Sequence, residues 1–205
     1  MSLQIYMGPM YAGKTTRLID LYNRCTTYDK IIIDYDIGET KRDCVMKANL
    51  ESHNKIIVPN VHRCKKLFNL YNIEKYELFS EDILQYYYGL FQDSKHIFIN
   101  ECQFFEDLKP FVLEMLSYGK YVYLFGLDGD FQQNLMGQTS QLIPYADHVE
   151  KIKGKCNECS GSSLFSYRIL KNKKVYLPDA SAYIPLCRDC FNRKQEEEQD
   201  EQHQQ

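Results

Sequence analysis

Residues 8–16 read GPMYAGKTT and follow directly on SLQIYM (2–7), a run apolar and aromatic enough for a buried strand. Gly8, four intervening residues, then Gly13-Lys14-Thr15 is the spacing of a phosphate-binding loop. In such a loop successive backbone N–H groups (Gly8, Pro9, Met10, Tyr11, Ala12 and Gly13 supply the turn) surround phosphate oxygens, a lysine reaches the terminal phosphates, and a hydroxyl, here Thr15 beside Thr16, meets Mg²⁺. The following segment, KTTRLIDLYNRC, repeats Leu18, Ile19, Leu21 and Tyr22 at helical spacing. A strand, a glycine-bounded loop and a helix whose N-terminus faces the loop form the context in which the motif binds a nucleoside triphosphate.

The remaining chain supplies strands and helices in alternation. KIIIDY (30–35) is a β-branched run suited to a strand covered on both faces, and KIIVPN (55–60) and KHIFIN (95–100) are further strands. Residues 36–55 are polar and without clear period, which predicts a loop over the site with at most a short helix; HRCKKLFNLYN (62–72) reads as helical. ECQFFEDLKPFVLEMLSYG carries Leu108, Phe111, Val112, Met115 and Leu116 at helical spacing and ends at Gly119, and KYVYLFGLDGD (120–130) adds a last strand. The expectation is an α/β fold, a P-loop NTPase-like, mainly parallel sheet with helices on both faces and a site at the carboxyl ends of its strands.

Two more elements carry chemistry. IFINECQFF (97–105) ends a strand at Asn100 and Glu101, where a phosphate-transfer site needs an acidic group. Asn100 is a neutral amide that orients a metal-bound water without adding charge, so Glu101 is the candidate base for an attacking hydroxyl. Cys156, Cys159, Cys187 and Cys190 form CxxC, 27 residues, CxxC, the spacing of a closed four-thiolate structural Zn²⁺ site. The other four cysteines, Cys25, Cys44, Cys64 and Cys102, show no pairing, and His53 reads as a plain loop histidine.

Composition limits the functional classes. With 205 residues and 44% hydrophobic residues, the chain can bury a substantial core. No apolar run approaches the roughly 20 residues that span a bilayer, and no leader-like segment opens the sequence, which predicts a cytoplasmic protein with reduced cysteines and no membrane partner. The net charge of −3 is concentrated in QEEEQDEQHQQ (195–205), with five acids and neither Lys nor Arg; the remaining body has no basic patch of the kind that binds nucleic acid. The expected organisation is a nucleotide-binding domain over 1–150, a zinc-binding lobe over 151–192 and a disordered acidic tail over 193–205.

Taken in order, these elements resemble the type II, zinc-containing thymidine kinases, over about residues 3–192. GPMYAGKTT matches that family's phosphate loop including Pro-Met, ECQFF most of its Asp-Glu-x-Gln-Phe-Phe box, LDGDFQ its Leu-Asp-Gly-x-Phe-Gln turn, and the zinc knuckles fall in register. The resemblance implies ATP-dependent phosphorylation of the 5′-hydroxyl of thymidine or deoxyuridine, with Glu101 as base, Lys14 on the phosphates, and Asn100 and Gln103 beside the ATP and Mg²⁺. It further implies that Met10, Phe104, Leu127 and Phe131 surround the thymine, and that Tyr183 and the backbone of Val175, Tyr176, Leu177 and Pro178 belong to a lasso loop that closes over the nucleoside. Arg42 is the counterpart of a family arginine near the phosphates, and the family implies a homotetramer. The pattern is broken at Asn100, where the family has Asp, at Pro178-Asp179 in place of Gly-Gly, at Met136 in place of an aromatic, and at Gln133-Asn134 in place of a basic pair. The alternative these departures suggest is a nucleotide-binding paralogue with weakened catalysis and a partner-binding role.

Overall fold

The computed structural model describes residues 1–38, 46–52, 55–70, 89, 91–170 and 180–203. Arg42, Cys44, His53 and Val175–Pro178 lie outside the described residues. Seven strands form the main sheet: β1 (Ser2–Met7), β2 (Lys30–Tyr35), β3 (Met46–Glu51), β4 (Ile57–Cys64), β5 (His96–Ile99), β6 (Tyr121–Gly126) and β7 (His148–Lys151). Their order across the sheet is β3-β4-β2-β5-β6-β1-β7, with every neighbouring pair parallel except β3 and β4.

The pleat explains the two-sided core. Ile31 and Ile33 of β2, Ile97 and Ile99 of β5, and Val122 and Leu124 of β6 point to one face, where α2 (Leu108–Ser117) covers them with Leu108, Phe111, Val112 and Met115, all fully buried. The alternate residues Tyr6, Ile32, Phe98 and Phe125 point to the other face and pack against Leu18 and Ile19 of α1 (Lys14–Arg24). Burying both faces is what makes the β2 and β5 sequences continuous apolar runs.

Register aligns the strand ends. Ile33 pairs with Ile99, Ile99 with Leu124, and Ile5 with Leu124, so the chain leaves β1 at Gly8, β2 at Asp34–Asp36, β5 at Asn100 and β6 at Leu127 along one edge. Because α1 carries the chain from β1 past β6 and β5 to β2, the strand order reverses beside β1, and a crevice opens over this edge.

The structure corrects three expectations. The polar stretch before residue 55 contains strand β3, antiparallel to β4, with a register shift between Ala48 and Leu50. Residues 62–64 end β4 and Leu67–Leu70 make a 3₁₀ turn, so the expected helix over 62–72 is not formed there. The acidic tail is not disordered as far as it is described: α3 (Arg188–His203) runs on from the second cysteine pair. Its residues are mostly Arg, Lys, Gln and Glu, which lose little rotamer freedom in a helix, and Glu197 lies 4.0 Å from Arg193 and 3.6 Å from Lys194. Glu198 adds a tertiary hold by accepting from Tyr167 Oη at 2.7 Å.

The small lobe consists of hairpin β8 (Gly154–Lys155) with β9 (Ser162–Ser163), and antiparallel β10 (Phe165–Arg168) with β11 (Tyr183–Leu186). Among the described residues its apolar cluster is Cys156, Tyr167, Leu186, Cys190 and Phe191, with a few partly buried neighbours. Among the described residues, no helix is long and apolar enough to cross a membrane.

Candidate active site and metal centre

The phosphate loop is built from backbone geometry. Gly8 N–H donates to Gly126 O at 3.2 Å, which fixes the loop to β6, and Ala12 N–H closes the turn on Pro9 O at 3.3 Å. Tyr11 and Gly13 both sit at positive φ, 60° and 86°, and Gly13 is the cap from which α1 starts. Lys14 is buried, with Nζ donating to Pro9 O at 2.8 Å. Burial pulls its pKa down, while the charges of Glu101 and Asp128 push the other way. A buried lysine held between carboxylates and a helix N-terminus is suited to neutralise phosphate charge.

The crevice beside Lys14 is lined by Met10, Thr15, Glu101, Leu127 and Ala180, together with Ile37. Residues that follow β1, β5 and β6 therefore converge on one cavity. Glu101 occupies a left-handed conformation, φ 50° and ψ 38°, which costs a non-glycine residue about 1–3 kcal/mol and occurs mostly at functional positions. Gln103 donates to its carboxylate, Nε2 to Oε2, at 2.7 Å.

Phe104, Phe131 and Tyr183 are not in the lining of this cavity. Phe104 packs on Tyr35 with ring centroids 5.2 Å apart. Phe131 lies under the Arg168 guanidinium, 3.6 Å from the ring centroid, and Tyr183, buried at the start of β11, is in register with Arg168. Tyr11 Oη donates to Ala180 O at 2.7 Å, tying the phosphate loop to the segment that precedes β11.

Asn100 has a partner that its sequence neighbourhood did not announce. Its Nδ2 donates to Asp34 Oδ1 at 2.9 Å, and Asp34 Oδ2 accepts from Arg63 Nε at 3.0 Å. The negative charge in this corner thus sits on β2, paired to β4. Asp128, whose charge acts on Lys14, is ion-paired with Lys151 at 2.5 Å. Asn100→Asp would therefore set two carboxylates against each other across a buried contact, a repulsion of about 1–4 kcal/mol. The pair would hold a proton above the usual carboxylate range, which the unfolded chain releases near pH 4. The variant should thus match wild type below that pH and lose stability as pH rises through the pair's folded pKa. Calorimetry at pH 5 and pH 8 checks this: the melting temperature should fall more at pH 8, and an equal or raised melting temperature at pH 8 would contradict it.

The small lobe touches the phosphate loop directly, because Met10 N–H donates to Ser166 Oγ of β10 at 2.9 Å. A hydrogen bond of this kind contributes about 1 kcal/mol, so Ser166→Ala should weaken nucleotide affinity about fivefold by loosening the loop. Titration calorimetry with ATP measures it; unchanged or tighter binding would mean that the hydroxyl competes with phosphate for the Met10 N–H.

The four paired cysteines come together. Their sulfur atoms all lie within 4.8 Å of one another, with Cys159 and Cys187 3.7 Å apart. Sulfurs about 3.8 Å apart are the edges of a tetrahedron with Zn–S bonds of about 2.3 Å. Gly161 N–H donates to Cys159 Sγ and Cys187 N–H to Cys156 Sγ, both at 3.3 Å. Burial opposes ionisation of Cys156, yet backbone N–H groups outweigh it and bring the thiol down to about 6. The donor set fits a closed zinc site, while Cys102, under the sheet edge, has its thiol pushed up to about 12 by burial and stays neutral.

Comparison with known proteins agrees with this geometry. The thymidine kinase family profile matches residues 1–191. The chain belongs to the thymidine kinase family. It is similar to the thymidine kinase of Choristoneura fumiferana entomopoxvirus, 31% identical with 94% of this chain and 97% of the relative covered. Thymidine kinase 1 of Dictyostelium discoideum is 29% identical, covering 95% of this chain and 79% of that one. Human cytosolic thymidine kinase is 27% identical over 94% of this chain and 74% of its own length. Membership makes the chain a nucleoside kinase.

Proposed function

We propose that this thymidine kinase family member transfers the γ-phosphate of ATP to the 5′-hydroxyl of thymidine, and of deoxyuridine, giving the nucleoside 5′-monophosphate and ADP. The observation that carries the reading is the convergence of Lys14, Thr15 and Glu101 on one crevice. Glu101 accepts the hydroxyl proton as the O5′–P bond forms and the P–O bond to ADP breaks. Lys14 and the N–H groups of residues 13–16 at the start of α1 balance the charge on the moving phosphoryl group, which needs positioning and neutralisation more than covalent help. The Thr15 hydroxyl would hold Mg²⁺, which when bound would supply further charge neutralisation. Met10 and Leu127 in the lining offer apolar surroundings for a pyrimidine base, and likeness to the family adds Phe104, Phe131 and Tyr183. Zn²⁺ on Cys156, Cys159, Cys187 and Cys190 holds the small lobe, and the assembly is a homotetramer by likeness to the family.

A nucleotide-binding paralogue with weakened catalysis is the second reading, favoured by the neutral Asn100. The two readings, and simple ATP hydrolysis, separate on one experiment: ADP release measured with and without nucleoside. Stimulation by thymidine or deoxyuridine with matching monophosphate supports the kinase; ADP release indifferent to nucleosides would exclude it.

A further inference from the structure

We propose that Gln103 is the positioning residue for Glu101, holding its carboxylate by one oxygen and locking it to the end of β6. The proposal deepens the reading of Glu101 as base. Gln103 is buried, its Nε2 donates to Glu101 Oε2 at 2.7 Å, and its Oε1 accepts from Leu127 N–H at 2.9 Å. The orientation of the amide is dictated by its partners, since a peptide N–H only donates and a carboxylate only accepts. Glutamine meets both demands at once. Glutamate has no donor for Glu101, and methionine satisfies neither.

The slot around the side chain is built for it. A Cβ on Gly126 would lie 2.4 Å from Gln103 Oε1 and 2.6 Å from Cys102 Sγ, so the strand end must be glycine for the amide to reach Leu127 N–H. Glu101 itself sits in the left-handed region, from which a relaxing backbone would swing its side chain away. A clamp that opposes this motion has a catalytic consequence, because a displacement of about 1 Å at a reacting group costs about 10²-fold in rate. Leu127, the other end of the clamp, lines the same crevice as Glu101, so the base and the wall of the substrate site move together.

The test compares wild type with Gln103→Glu, which keeps an acceptor for Leu127 N–H but sets a second carboxylate against Glu101, and with the uncharged Gln103→Met, which loses both contacts. The expected result for each is a kcat lowered about 10- to 100-fold with KM for ATP and thymidine within about threefold. Crystal structures of the variants should show the Glu101 carboxylate turned from its wild-type position. Wild-type kcat in Gln103→Glu would reduce the residue to a backbone prop and overturn the proposal. Should the wild-type chain phosphorylate no nucleoside, the kinase reading fails on that assay, and the structures still decide the clamp: an unmoved Glu101 in both variants overturns it. If one variant does not fold, the other carries both readouts.

Discussion

Replacing Glu101 with glutamine should leave Mg-ATP bound and lower phosphate transfer by about 10²–10⁴-fold, the range expected when a general base is removed. The substitution keeps the size and the hydrogen-bonding reach of the side chain, and an amide oxygen can still take the Gln103 Nε2 contact made now by Oε2 at 2.7 Å. What it deletes is the capacity to take a proton from the sugar hydroxyl. Nucleotide affinity rests on the loop at 8–16 and on Lys14, whose Nζ contacts Pro9 O rather than Glu101, so it should change little. Kinetics with isothermal titration in parallel separates the two quantities. Turnover within about threefold of wild type would remove Glu101 from the role of base.

Zinc removal should have an effect of comparable size, exerted through structure rather than chemistry. Among the described residues the small lobe has an apolar cluster of five buried residues, two of which are the metal-site cysteines themselves, and a core of that size cannot hold a unit together. Structural zinc contributes about 10–16 kcal/mol of apparent binding free energy at pH 7 in small zinc domains, far more than the lobe can replace. Chelation, or Cys187→Ser, should therefore unfold β8 to β11 while the seven-stranded sheet persists. Because Ser166 Oγ and Ala180 O hold Met10 and Tyr11 of the phosphate loop, nucleotide binding should fall with the lobe. Elemental analysis should return about one zinc per chain, as four thiolates in one tetrahedral set accommodate one ion. A metal-free protein with an intact lobe and full nucleotide affinity would contradict the assignment.

The parts of this molecule written in local periodicity were legible before the structure. SLQIYM, KIIIDY and KHIFIN are apolar on both pleat faces because helices cover both, and that pattern admits few readings. The phosphate loop and the cysteine pairs carry their chemistry in spacing alone. The signal for β3 was present but short: MKANLE alternates Met46, Ala48 and Leu50 with Lys47, Asn49 and Glu51 inside an otherwise polar, aperiodic stretch, and its partner β4 carries Pro59 and Asn60, the latter at φ 61°, beside the register shift. The tail misled through its composition: residues lacking apolar groups suggest disorder, yet they are strong helix formers attached to a helix that the second cysteine pair begins.

Within the site, the residue types were legible and their partners were not. Asn100 stood out as a lost charge, but Asp34 and Arg63, which complete its network, lie 66 and 37 positions away along the chain and are joined to it only by the order of the strands. Ser166 reaches Met10 across 156 residues. Gln103 belongs to a recognisable motif, yet its grip on Leu127 depends on β5 and β6 being neighbours in register, which no local pattern encodes. Contacts between strand ends are the common element in each case.

The most direct test of the account is product identification. Purified protein with Mg²⁺ and γ-labelled ATP is offered thymidine, deoxyuridine and deoxycytidine, and the labelled products are resolved. The account predicts label in the 5′-monophosphates of thymidine and deoxyuridine, dependent on Glu101. Label released only as inorganic phosphate, or no label leaving ATP with any nucleoside, would contradict it.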